Sequence, residues 1–173
     1  MTFAFRSSGA LAAALVLSAV TFSATPADAA SLVSFTGYSA GTVVVKTGQR
    51  RLYYVLSDGK AVVYPVGVGR AGQQWAGTAY IDGKHLRPAW SPPAVIKRAN
   101  PRLPDVIPGG SPRNPMGEAA LTLSGGGEYA IHGTNAPSSI GGFVSYGCIR
   151  MLNKDVLDLY KRVSVGTTVV VTR

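Results

Sequence analysis

The stretch GTVVVKTGQRRLYYVLSDGKAVVYPVGVG, residues 41–69, decides the fold. It holds three β-branched or aromatic runs, at 43–45, 52–56 and 61–68, parted by turn clusters containing Gly48 and Asp58-Gly59. Runs of this length between turn residues read as strands. The Asp58-Gly59 pair signals a hairpin, because both central residues of the tight two-residue turn take positive φ. A β-meander is expected here, and the same style returns at 119–123, 129–131 and 167–172. Only NKDVLDLYKRV, residues 153–163, reads as a helix, with Val156, Leu159, Tyr160 and Val163 at i, i+3, i+4 and i+7. Asn153 is the expected N-cap, Asp155 sits in the first turn where negative charge suits the dipole, and Lys161 and Arg162 sit at the other end. Between the strand groups runs an irregular stretch, 70–117, rich in Pro, Gly and Arg, with one weak strand at 78–81. Trp75, Trp90 and the prolines suit a packed loop covering either a cleft or a sheet face.

Composition agrees with a mainly β domain of meander or sandwich type, carrying one helix in its C-terminal region and long loops. The 173 residues allow one domain, and 46% apolar residues suffice for a core. Charged residues are only 14%, against about 25% in an average domain, which excludes a solvated helical bundle or an ion-paired coiled coil. Seventeen Lys and Arg against eight Asp and Glu give a net charge of +9 and favour an anionic neighbour. A nucleic-acid reader should add a basic stripe, a helix-turn-helix pattern or aromatic strand signatures; none is visible, which leaves anionic envelope polymers or membrane surfaces.

The start of the chain bears on location. Residues 1–29 begin with one cation, Arg6, run apolar from 10 to 20, and end in Ala27-Asp28-Ala29. The apolar run falls short of the roughly 20 residues of a spanning helix, and the small residues match a signal-peptidase site, so residues 1–29 read as a secretory signal. Residues 30–41 read as a linker and 42–173 as the folded domain, exported to the periplasm or cell wall with no membrane span after signal removal. The sole cysteine, Cys148, cannot form an intramolecular disulfide, so its presence in an exported chain calls for burial or a use.

The use is suggested by IHGTNAPSSIGGFVSYGCIRM, residues 131–151, which joins His132 to that cysteine. A thiol nucleophile needs a base to draw off its proton or a positive neighbour to lower its pKa. His132 ends an apolar strand and can supply the base. Gly147, just before Cys148, permits an unusual backbone conformation that lets the N–H groups of residues 147 and 148 converge on an oxyanion. A buried cysteine and a core histidine are the plainer reading of the same spacing.

The motifs HGTN at 132–135 and SYGCIRM at 145–151 resemble the signature of the L,D-transpeptidases with the YkuD-type catalytic domain. The resemblance extends to the DGK meander, to NPMG at 114–117 and to the closing DVLDLYKRVSVGTTVVV. It implies that Cys148 is the nucleophile, that His132 is its base, and that the backbone carbonyl of Gly133 holds the imidazole in the useful tautomer. It further implies oxyanion donation from the backbone at Tyr146 and Gly147. Arg150, with Ser145, Thr134 and Asn135, is implied to bind substrate, Arg150 as a carboxylate clamp or, more plainly, as a surface ion pair. Tyr146 stands where many members carry a second histidine, and His85 lies outside the signature, as a structural or substrate-loop residue.

The implied activity is attack on the bond between the third residue and the terminal D-Ala of peptidoglycan stem peptides, through a thioester on Cys148. An amine of another stem peptide or of an envelope protein then captures the acyl group. No metal and no organic cofactor is expected, and carbapenem-type β-lactams are expected to acylate the thiol. A hydrolase on the same scaffold and a non-catalytic wall-binding module are the alternatives.

Overall fold

The Asp58-Gly59 turn takes the conformation its residues dictate, with φ of 61° and 67°, and the strands it joins open the sheet. The computed structural model of the protein describes Met1, residues 31–125 and residues 128–173. The expected signal at 1–29 lies, Met1 apart, outside the described residues. In chain order the strands are β1 (Ser31–Ser34), β2 (Val43–Lys46), β3 (Arg51–Val55), β4 (Lys60–Pro65), β5 (Val68–Gly69), β6 (Gly77–Leu86), β7 (Ala119–Ser124), β8 (Tyr129–His132), β9 (Phe143–Ser145), β10 (Ile149–Arg150) and β11 (Thr168–Thr172). Two helices join them: α1 (Ala94–Ala99), a short helix with no buried residue inside the stretch read as irregular, and α2 (Asn153–Arg162), the one expected.

Nine strands form one sheet in the order β1-β4-β3-β2-β11-β6-β7-β8-β10, and β5 pairs with β9 beside it. The pairs β2–β11 and β8–β10 are parallel within the large sheet. At about 4.8 Å per strand, β4 and β8, six places apart, would stand about 29 Å from each other in a flat sheet. The helix α2 nonetheless meets both: Tyr64 of β4 donates its hydroxyl to Asp158 of α2 at 2.6 Å, and α2 packs on β7 and β8. A helix is only about 10 Å across, so the sheet curls around it. Leu52, Tyr64, Ile131, Ile149, Val156 and Leu159 consequently share one core.

Three expectations are corrected. The segment read as a linker, 30–41, contains β1, whose residues pair with β4 from Ser31↔Val63 to Ser34↔Lys60; its small polar residues hide an edge strand with no buried face. The weak strand at 78–81 is the ten-residue β6, seated mid-sheet between β11 and β7. Its Asp82-Gly83 pair obscured it, because a register shift between Ile81 and Gly83 absorbs those residues. Asn153 does not cap α2. The cap is Leu152, without a side-chain bond, and Asn153 Oδ1 instead accepts from the backbone N–H of Thr134 at 3.0 Å and of Glu118 at 3.2 Å.

That pair of bonds ties α2 to the end of β8, and Gly117 and Gly133 must be glycines because a Cβ at either would lie 2.2 or 2.3 Å from Asn153 Oδ1. Asn153→Ala therefore strands two amides and should destabilise the protein by about 1–3 kcal/mol. Asn153→Asp, which keeps the acceptor, should recover most of the loss, and Asn153→Ser, a good cap that reaches less far, should not. Urea unfolding of the three variants checks this order.

Candidate active site

Two residues of parallel pairing, Ile149↔Ile131 and Arg150↔His132, join β10 to β8. Side chains alternate across a strand, so this register sends Ile131 and Ile149 into the core, 0% and 1% exposed, and His132 and Arg150 to the opposite face. Cys148, two residues before Arg150, shares that face. All three line one cleft of about 820 Å³. Pro92, Pro93, Val95 and Ile96 form its outer wall, with Trp90 beside them. The irregular 70–117 stretch thus does cover a cleft, through the arch that contains α1.

His132 is only 4% exposed, and its Nδ1 stands 2.7 Å from the carbonyl oxygen of Gly133. A carbonyl only accepts, so Nδ1 carries the proton and Nε2 is left as the basic nitrogen. Burial lowers the imidazole pKa from 6.5 to about 4; the Gly133 and Pro115 carbonyls oppose the shift and the Arg150 charge adds to it. Burial pushes the Cys148 thiol up, the Ala130 backbone and Arg150 draw it down, and Glu128 raises it. The Cys148 thiol donates to the Glu128 carbonyl at 3.9 Å, so at neutral pH the cleft holds a thiol and a neutral imidazole rather than a preformed ion pair, an arrangement suited to proton transfer during attack.

Arg150 Nε is buried without a hydrogen-bond partner. Among the described residues the ion pairs are Arg87–Glu118, Lys97–Asp105 and Arg162–Asp158, so the surface ion pair weighed for Arg150 does not form. An unpaired guanidinium in a cleft is built to receive a carboxylate.

The backbone around the cysteine differs from expectation. The Gly147 N–H donates to Ser145 Oγ at 3.1 Å, and Ser145 Oγ donates to the Cys148 carbonyl at 2.6 Å. Gly147's amide is thus already engaged, and Ser145, 2% exposed, is among the residues that line the cleft while its hydroxyl is bonded within the turn. The amides of Tyr146 and Cys148 have no acceptor among the described residues. Thr134 and Asn135 do not reach the cleft. They line a separate pocket of about 490 Å³ near the start of α2, where Thr134 Oγ1 accepts from Ala136 N–H at 3.0 Å and Asn135 Nδ2 donates to the Pro112 carbonyl at 3.1 Å. Tyr146 lines the cleft, with the Arg70 guanidinium 3.8 Å from its ring centroid. His85, on β6, is not among the cleft-lining residues. Sequence reading missed Asp82 and Glu128 as cleft residues, hidden by a turn and a glycine run, and gave Asn153 and Trp75 other parts, a helix cap and the packing of a loop. No group of three His, Cys, Asp or Glu suited to a metal occurs among the described residues.

Residues 40–171 match the YkuD family model, the L,D-transpeptidase catalytic domain. The chain is 40% identical over 136 residues to the probable L,D-transpeptidase YbiS of Escherichia coli K12, covering 73% of this chain and 43% of that protein. It is 34% identical over 135 residues to the putative L,D-transpeptidase YqjB of Bacillus subtilis, covering 75% and 70%. An L,D-transpeptidase structure from Mycobacterium smegmatis shares the fold, with a TM-score of 0.60 at 18% identity over 76% of this chain and 58% of that one. The family match over most of the chain shows that it belongs to the L,D-transpeptidase catalytic domain family, and the structural likeness is one of fold. The chain spans less than half the length of the Escherichia coli relative.

Two outcomes follow from the resting state. With the thiol pKa raised and the imidazole neutral above about pH 5, the rate of Cys148 alkylation by iodoacetamide should climb about tenfold per unit from pH 6 to 8. A plateau below pH 7 would reveal a thiolate–imidazolium pair instead. Tyr146→Phe, which keeps the ring under Arg70, should leave thioester formation within about twofold of wild type, since a catalytic hydroxyl would cost about tenfold per 1.4 kcal/mol.

Proposed function

We propose that the protein is an exported L,D-transpeptidase that acts on peptidoglycan stem peptides in the periplasm or cell wall. The observation that carries this reading is the imidazole fixed by the Gly133 carbonyl, in one cleft with Cys148 and an unpaired Arg150. Cys148 Sγ attacks the carbonyl between the third residue and the terminal D-Ala while His132 Nε2 takes the thiol proton. Backbone N–H groups beside the cysteine hold the oxyanion, and collapse of the tetrahedral intermediate breaks the C–N bond. His132 returns the proton to the departing D-Ala nitrogen, leaving a thioester. An amine then attacks, gives its proton to His132, and displaces the thiolate, which recovers that proton. Arg150 grips a substrate carboxylate throughout.

The acceptor is an amine of a second stem peptide or of an envelope protein. Asp82 and Glu128 line the cleft and make no ion pair among the described residues, in a chain where cations outnumber anions seventeen to eight. Carboxylates there favour a cationic acceptor over water, and so transfer over hydrolysis. No helix among the described residues is long and apolar enough to cross a membrane.

Incubation with purified tetrapeptide stems and mass analysis tests the reading: a cross-linked dimer with release of D-Ala supports it, tripeptide alone indicates a hydrolase, and no product refutes catalysis on this substrate. Cys148→Ala should abolish D-Ala release with the fold intact by circular dichroism, and Cys148→Ser should be nearly dead, because a hydroxyl is far harder to deprotonate. Arg150→Lys, which keeps the charge and loses the two-pronged grip, should lower kcat/KM about tenfold or more.

A further inference from the structure

The Gly147–Cys148 peptide carries the one amide of the nucleophile itself, and the structure shows what fixes its orientation. The Trp75 indole Nε1 donates to the Gly147 carbonyl at 3.0 Å. The Trp75 ring lies flat on Tyr129, with centroids 5.1 Å apart and planes 4° from parallel. Tyr129 in turn presses on Gly147, where φ is +123° and a Cβ would stand 2.3 Å from the tyrosine Cε1. Trp75 itself is not among the residues that line the cleft, whereas Tyr146 and Cys148 are.

From these contacts we infer that Trp75 is a positioning residue for the oxyanion site: by holding the Gly147 carbonyl away from the cleft, it aims the Cys148 N–H into it. The inference rests on the proposed role of Cys148 as nucleophile. No cis peptide occurs among the described residues, and in a trans peptide the C=O and N–H point in opposite directions. A carbonyl drawn toward Trp75 therefore turns the following N–H to the other side. Glycine at 147 leaves this plane free to rotate unless something restrains it. The neighbouring polar groups are already committed, since the Gly147 N–H and the Cys148 carbonyl both bond to Ser145 Oγ. The Cys148 N–H has no acceptor of its own among the described residues. An oxyanion donor acts by being aimed before charge develops, and the indole bond supplies that aim from outside the reaction space. Drawing on the carbonyl also polarises the same amide, which strengthens its N–H as a donor.

Two thiol reactions separate positioning from packing. Acylation of Cys148 by a carbapenem passes through an oxyanion, whereas alkylation by iodoacetamide displaces iodide and forms none. Trp75→Phe keeps an aromatic face for Tyr129 and removes the N–H. Site-specific replacement of Trp75 by benzothienylalanine, which has the indole's shape without its N–H, serves as the second variant if the phenylalanine form does not fold. The expected result is a fall of tenfold or more in the second-order rate of acylation, with alkylation within twofold of wild type at each pH. Equal losses in both reactions would make Trp75 a packing residue, and no loss in either would make the bond idle; both overturn the inference. A wild-type protein that is alkylated but never acylated would refute the proposed catalytic site itself, a failure distinguishable from that of Trp75 alone.

Discussion

The site depends on a two-residue stretch of parallel pairing between β8 and β10. Because side chains alternate, one register satisfies two demands at once: Ile131 and Ile149 enter the core, and His132, Arg150 and Cys148 face the cleft. A slip by one residue would put an imidazole and a guanidinium among Leu121, Met151 and Val156 and send the isoleucines to water. The buried pair thus enforces the geometry of the polar trio. Gly67 secures the outer side of β10 through two backbone bonds with Arg150, and a Cβ there would stand 2.8 Å from the Ser139 carbonyl.

Around that pairing, backbone groups do most of the orienting. The Gly133 carbonyl selects the imidazole tautomer, and Asn153 holds the chain just after it through the Thr134 amide. On the cysteine side, Ser145 fastens the turn from within. Ser145 and Thr134, which sequence reading would assign to substrate, therefore also hold up the backbone around the cleft and the end of β8.

Much of the fold was legible where a strand carried its own turn chemistry. The Asp58-Gly59 hairpin, the runs that became β2, β3, β4, β7, β8 and β11, and the apolar stripe of α2 all follow local rules. The strands β1 and β6 did not, since β1 has no buried face and the irregularity near Gly83 breaks the alternation of β6. In the site, His132 and Cys148 were visible as a motif because their chemistry is in their side chains. The parts played by Asn153 and Ser145 were invisible, because each acts on a peptide group far away in the chain or on one whose direction only the folded backbone defines. Thr134 and Asn135 misled for the converse reason: adjacency to His132 in the chain does not carry them around the end of β8 into the same cleft.

The raised thiol pKa has a bearing on durability. Peroxide attacks the thiolate, and oxidation proceeds from sulfenic to irreversible sulfinic and sulfonic acids. A half-buried cysteine whose thiol is pushed up by desolvation, in one cleft with a neutral imidazole, offers little thiolate between encounters with substrate. This protection matters for a sole thiol, with no second cysteine in the chain to rescue it as a disulfide. Low resting nucleophilicity and resistance to oxidation both follow from the partial desolvation of one sulfur.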